Sequence, residues 1–205
     1  MLTFDLHITF ESALYSFVRD SRGRPCIPAA TLKGAHRYQT EQIAVALGLY
    51  ICTPPVPETM CQPLGTGKKA ACAVCRIFGA PWLPGSIYYQ ALVATTTPVL
   101  HSVVRLPQSR QRRVQVQRHV EPREALPAGT TFQAQLSHRI TDPALLGLAL
   151  AGFRSITSLG AYRTSGGGHC RVEVRALDDS KRPVNELDLV AALRNLVPQA
   201  PGGTP

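Results

Sequence analysis

Four cysteines lie close together in the chain, Cys52, Cys61, Cys72 and Cys75, with the spacing C-x8-C-x10-C-x2-C. One Cys-x-x-Cys knuckle and two more distant thiolates can close a tetrahedral zinc site, which takes sulfur and nitrogen ligands. Proline and glycine between the cysteines describe loops that such an ion would hold together. His36 is an alternative ligand in place of Cys52, on the expectation that helix and loop meet. The competing reading is a set of buried reduced thiols, since free cysteine behaves as a small hydrophobe. Cys26 and Cys170 read as core.

Other residues suit a polyanion. In Ile27-Pro28-Ala29-Ala30-Thr31-Leu32-Lys33-Gly34-Ala35-His36-Arg37 a loop enters a helix, whose first N–H groups and dipole favour phosphate. Lys33 and Arg37 are four residues apart, so both project from one helical face and can grip adjacent phosphates. In Tyr162-Arg163-Thr164-Ser165-Gly166-Gly167-Gly168, three glycines allow the main chain close approach to a ligand or to another backbone. Arg163 adds a charge there and Tyr162 a stacking face. From His101 to Arg123 the chain carries Arg105, Arg110, Arg112, Arg113, Arg118 and Arg123, its densest basic run. Alternation in Val114-Gln115-Val116-Gln117 makes part of this run a strand. Each of these segments also has a plain structural reading, as a helix start, a turn and a basic hairpin. Gly65-Thr66-Gly67-Lys68-Lys69 fails as a nucleotide-binding loop, because Gln62 replaces the first glycine and Lys69 the magnesium-binding hydroxyl. His101, His119 and His138 can in principle do acid–base chemistry on RNA, but lone histidines scattered over strands read as structural.

The elements that must position these groups follow from periodicity. Residues 2–10 alternate, with Leu2, Phe4, Leu6, Ile8 and Phe10 on one face, as a half-buried strand does. A polar loop is expected over 18–25, then a helix over about 30–47 with Gly48 as its stop. Strands are expected at 86–95, 99–105 and 131–140, the last turning Phe132, Ala134 and Leu136 inward. Asp142-Pro143 signals a helix start, Asp as cap and Pro at the first position, and the helix is expected to run toward Gly160. Residues 169–177 alternate again, and a last amphipathic helix spans about 185–197 before a Pro/Gly tail expected to be disordered. Without the cysteine-rich stretch and the arginine run, strand–helix–strand–strand–helix–strand remains. This is the order of a ferredoxin-like, RRM-like α+β domain with insertions.

The 205 residues suit one domain of this kind, and a 44% apolar content suits a soluble globular core. The sequence has no long apolar run and its first residues read as a strand, so neither a membrane span nor a signal peptide is expected. A cytoplasmic location follows as the expectation, which the clustered cysteines support against a secreted disulfide framework. A net charge of +9 favours polyanionic partners, because each phosphate neutralised releases a condensed counterion.

Taken together, the segments resemble a known family. Ile27-Pro28 followed by Thr31-Leu32-Lys33-Gly34 and Arg37 is similar to the N-terminal motif of RAMP-superfamily CRISPR proteins. Leu159-Gly160 with Arg163 and Ser165-Gly166-Gly167-Gly168 resembles their glycine-rich loop. Cys72-Ala73-Val74-Cys75-Arg76-Ile77-Phe78-Gly79 and Glu124-Ala125-Leu126-Pro127-Ala128-Gly129-Thr130-Thr131-Phe132 resemble elements of type III backbone subunits. The matches cover residues 1–177. The resemblance implies an RRM-like RNA-binding domain over 1–180, with a zinc-binding insertion at about 49–85 and a β-hairpin thumb at about 101–123. It leaves a C-terminal helix and tail over 181–205. It implies stacking of copies of the chain along a guide (crRNA), beside other CRISPR effector subunits, with a target nucleic acid, expected to be RNA, spaced by the thumb. Relatives that cut target RNA use an aspartate in the loop before the first motif. Here that position falls near Leu14, Tyr15 or Ser16, none acidic, and Glu11 sits at the strand end. The reading is therefore a binding subunit without nuclease activity. The alternatives are a target-RNA endoribonuclease using Asp20, the weak catalytic candidate, or a guide-processing endoribonuclease.

Overall fold

The alternating N-terminal residues become the middle of an antiparallel sheet. The computed structural model describes residues 2–56, 58–62, 71–96, 98–104, 122–194 and 196. Its elements run β1 (Thr3–Phe10), β2 (Val18–Arg19), β3 (Pro25–Ile27), α1 (Ala29–Ala46), α2 (Ala73–Phe78), β4 (Ile87–Tyr88) and β5 (Leu92–Ala94). They continue with β6 (His101–Val104), β7 (Pro122–Ala125), β8 (Thr131–His138), α3 (Pro143–Arg154), a 3-10 turn at Arg163–Ser165, β9 (Cys170–Leu177) and α4 (Glu186–Arg194). The main sheet has the order β2-β3-β5-β8-β1-β9, with β4 pairing the far end of β8. β6 and β7 form a separate two-stranded antiparallel sheet.

Burial follows the two-residue period of a strand. Phe4, Leu6, Ile8 and Phe10 of β1 are fully buried, as are Phe132 and Leu136 of β8. Each contributes about 1.5–3 kcal/mol by leaving water. Across β9, Cys170, Val172 and Val174 are buried while Arg171, Glu173 and Arg175 face solvent. α1 and α3 pack against each other over the buried face, and Phe4 meets Phe153 edge-on at 5.5 Å.

Helix ends have local causes. The Asp142 side chain accepts the Ala144 N–H at 3.0 Å, with Pro143 at the first helical position. Gly48 takes a left-handed φ of 73° after α1, and the Leu49 N–H reaches back to the Ala44 carbonyl. α4 lies on α3 through buried Leu189, with Arg154 paired to Glu186 at 3.0 Å.

Four expectations are corrected. Residues 18–25 are not simply a loop, because β2 and β3 pair as a short hairpin. The strand expected over 86–95 is broken. Between the pairs Tyr88↔Ser137 and Val93↔Gln133 it carries one residue more than β8, and Tyr89 in the interruption turns toward α1. α3 ends at Arg154 rather than near Gly160, because the chain after it turns extended and its Thr157 carbonyl accepts the Cys170 N–H. The cysteine-rich stretch contains a short helix, α2, whose cap is Cys72. Among the described residues no helix is long and apolar enough to cross a membrane.

Candidate nucleic-acid interface and metal centre

The segment after α3 is fastened to the segment after β1 by main-chain bonds. Leu159 N–H donates to Gly168, Gly168 N–H to Ala13, and Glu11 N–H to His169, at 2.8–2.9 Å. This packing requires glycine at 168. A Cβ there would stand 1.9 Å from the Leu159 carbonyl oxygen, and φ is +70°. Gly167 is similarly confined, since a Cβ would meet the Tyr15 ring at 3.1 Å, whereas Gly166 (φ +79°) is exposed with open space around it. Of the two roles open to the glycines, close approach to another backbone thus describes Gly168.

The fastened segment faces the N-terminal half of α1 across a groove of about 750 Å³. Thr31, Gly34, Ala35 and Tyr38 form one wall, and Ser158, Gly160, Ala161 and Arg163 the other. Gly34 and Arg163, expected at the site, are therefore brought together. Lys33 is exposed on α1 beside Gly34 but is not part of the lining. Arg37 turns elsewhere. Its Nε donates to Glu41 Oε1 at 2.8 Å, and its charge lies close enough to feel Cys52 and Cys75. Tyr162 (φ 62°) meets Tyr15 edge-on at 5.2 Å and lies 5.5 Å beneath the Arg123 guanidinium. Arg105, Arg110, Arg112, Arg113 and Arg118 lie outside the described residues, as does His119. The strands that enter and leave that run, β6 and β7, pair from His101↔Ala125 to Val104↔Pro122.

Sequence reasoning missed Thr31 and Tyr38. Their signal was available, since positions 31, 34, 35 and 38 share one face of a helix while 33 and 37 point away from it. It set Glu11 aside as lying at the strand end and did not see its partner His169; the two pair at 2.9 Å beside the glycine loop, with Arg171 at 3.7 Å from the same carboxylate. Residues 10 and 170 stand opposite each other in the β1–β9 register, a cross-strand neighbourhood invisible along the chain.

Asp20 is occupied by its own turn. One carboxylate oxygen accepts the Arg22 and Arg24 N–H groups at 2.9 and 2.8 Å, and the other accepts Arg24 Nε at 2.8 Å. Hydrogen bonds from the Arg24 backbone, followed by its side chain and the Arg22 backbone, hold its pKa below the ordinary carboxylate value, against some desolvation.

The four clustered cysteines do meet. Their Sγ atoms all lie within 4.8 Å of one another and all four residues are buried. Cys52 Sγ stands 3.3 Å from Cys75 Sγ and 4.0 Å from Cys72 Sγ. Four thiolates about 2.3 Å from a central ion would stand about 3.8 Å apart, so the donor set fits a tetrahedral metal ion. Burial pushes the Cys75 and Cys61 thiols up in pKa. At Cys52 burial also opposes ionisation, but hydrogen bonds from the Cys61 backbone and the neighbouring thiols outweigh it and bring the pKa down.

His36 is not a ligand, which corrects the alternative. The Ala149 carbonyl only accepts, so Nε2 must carry the proton of the 2.8 Å bond to it. Nδ1 then accepts from the Tyr89 hydroxyl at 2.7 Å. The ring stacks on Phe153 with centroids 3.5 Å apart, and desolvation drives its pKa down to about 3. No ring nitrogen is left for a metal.

No curated protein sequence matches this chain. Among solved structures, a chain of a "Type IV-B CRISPR Complex" aligns with a TM-score of 0.60 at 18% identity, over 84% of this chain and 90% of that one. A chain of the "Type III-B Cmr-beta bound to cognate target RNA" aligns with a TM-score of 0.61 at 15% identity, over 85% of this chain and 60% of that one. Identities this low speak to the fold. The sequence profile of the RAMP superfamily matches residues 6–171, which takes in the later part of β1, the groove, the four cysteines and the glycine loop. On that match the chain belongs to the RAMP superfamily.

Proposed function

We propose that this chain is a backbone subunit of a CRISPR effector ribonucleoprotein, binding guide RNA along its sugar–phosphate chain without cutting it. The observation that carries the reading is the groove itself, where the Thr31–Gly34–Tyr38 face of α1 meets the Gly160–Arg163 segment. A helix start and a glycine-pinned loop there offer backbone N–H groups, a guanidinium and little side-chain bulk to a phosphate. Lys33 and Gly166 are both exposed in the two segments that form the walls.

In this reading β1, α1, β5, β8, α3 and β9 are the βαββαβ unit of a ferredoxin-like domain. The β6–β7 hairpin is the root of a thumb that carries Arg105, Arg110, Arg112, Arg113 and Arg118 to a guide–target duplex. Copies of the chain stack along the guide beside other effector subunits. Zn2+ on Cys52, Cys61, Cys72 and Cys75 is structural and ties α2 to the loops around it. A binding rather than a cutting role is supported by Asp20, whose carboxylate is spent on fixing its turn.

The test is to sequence the RNA that copurifies with the protein expressed beside a CRISPR array. Repeat-derived 5′ tags at one end of a uniform population are expected. A population of unrelated host transcripts would overturn the reading. Mass spectrometric metal analysis checks the cysteine centre separately, with one zinc per chain expected.

A further inference from the structure

The four cysteines pose an electrostatic problem that their own loops do not solve. A divalent ion with four thiolates carries about two net negative charges, and Cys52, Cys61, Cys72 and Cys75 are all buried. A buried charge without a partner is costly. Main-chain donors offset part of it. The Cys72 N–H points to Cys61 Sγ at 3.2 Å, and the Cys75 N–H to Cys72 Sγ at 3.5 Å. Neither group supplies a full positive charge. Arg76 follows Cys75 in the chain but is drawn away to Asp142 at 3.1 Å.

α1 brings up a cation from the other side. It packs on α2, the element that holds Cys75, with the His36 ring edge-on to Phe78 at 4.9 Å. The next residue is Arg37, whose guanidinium is half-buried. Its Nε bond to Glu41 at 2.8 Å fixes its direction and uses one of its three nitrogens. Desolvation works against the Arg37 charge, but Glu41, Cys75 and Cys52 outweigh it and raise its pKa. Lys33, one turn earlier on α1, is exposed instead.

We propose that Arg37 is a positioning residue of the cysteine centre, where its charge balances the thiolates around a bound divalent ion, and that it does not contact phosphate. The inference rests on the reading of the four cysteines as a metal site. It gives α1 two unlike cations, Lys33 turned to solvent and Arg37 to the thiolates. Outer partners of metal ligands are worth about ten- to a hundredfold in metal affinity. Arg37 sits at the lower end of that range, because it acts by charge on sulfurs that main-chain groups already hold in part.

The test sets the zinc-loaded full chain against a chelator of known affinity and follows zinc release. Arg37→Gln should lower zinc affinity about tenfold, and Arg37→Lys, which restores the charge, should recover most of the loss. The gap between the unmodified chain and Arg37→Gln should narrow as salt is raised, since screening acts on charge and not on packing. Losing the pair with Glu41 leaves the metal-free fold nearly as stable, so the change is read in metal affinity. Unchanged zinc affinity in Arg37→Gln overturns the proposal. A loss that Arg37→Lys shares and that salt does not alter overturns it in favour of a packing role. Full zinc affinity with a loss of RNA affinity as large as that of Lys33→Ala overturns it in favour of a phosphate contact. An unmodified chain that takes up no zinc overturns the metal reading as well.

Discussion

At His36, an acceptor on one side and a hydroxyl on the other leave one way to place the single proton of a neutral ring. Burial drives the His36 pKa down to about 3, against the hydrogen bond to the Ala149 carbonyl, and burial lowers that of His138 to about 4. Unfolded, both titrate at their ordinary value of 6.5. Below that pH the unfolded chain binds protons that the folded chain refuses, so stability is complete above pH 6.5 and falls as acid is added. The expected slope from each histidine is about 1.4 kcal/mol per pH unit between its two pKa values. Urea unfolding across this window measures it, and a variant with one of the two histidines replaced should lose roughly half the slope. Arg37 and Lys33, alike on paper, diverge for a similar reason of partners. Lys33→Ala and Arg163→Ala should each lower the salt slope of RNA binding by about one, without favouring any sequence. Arg37→Ala, already neutralised by Glu41, should change that slope less and cost about 0.5 kcal/mol of stability.

Elements inherit these constraints. The glycine loop contains two kinds of glycine, which substitution separates. Gly168→Ala drives a Cβ into the Leu159 carbonyl and should cost about 3 kcal/mol in chemical denaturation. Gly166→Ala meets only backbone strain and should cost about 1 kcal/mol. The cysteine centre has its own reporter in Trp82, the chain's single tryptophan, whose indole N–H donates to the Cys61 carbonyl at 3.0 Å. Removing metal with a strong chelator should shift Trp82 emission and lower Tm by about 10 °C, equivalent to roughly 3 kcal/mol. An unchanged spectrum and Tm would mean the four thiols pack without an ion. The long strands, α1 and α3 were legible because their periods and caps are local. The β4–β5 break was not, since its cause is Tyr89 reaching a histidine 53 residues away. The clustering of the four cysteines was legible by spacing. The groove face was legible only at Gly34, because charge drew attention to Lys33 and Arg37 when the residues that flank Gly34 in the lining are Thr31 and Tyr38.

The whole molecule places its helices on one side of the sheet and a polar surface of Asp5, His7, Glu173 and Arg175 on the other. With a net charge of +9, binding to single-stranded RNA should weaken about a hundredfold between 50 and 200 mM salt if about five phosphates are neutralised. Fluorescence titration at several ionic strengths reads this directly. A flat profile would remove the electrostatic basis of the proposed role.

Because the Leu14–Leu126 bonds and the Arg19–Glu124 pair fix the β6–β7 hairpin where it leaves the body, its heading is set independently of its reach. Whatever joins Val104 to Pro122 therefore starts and ends on a fixed footing.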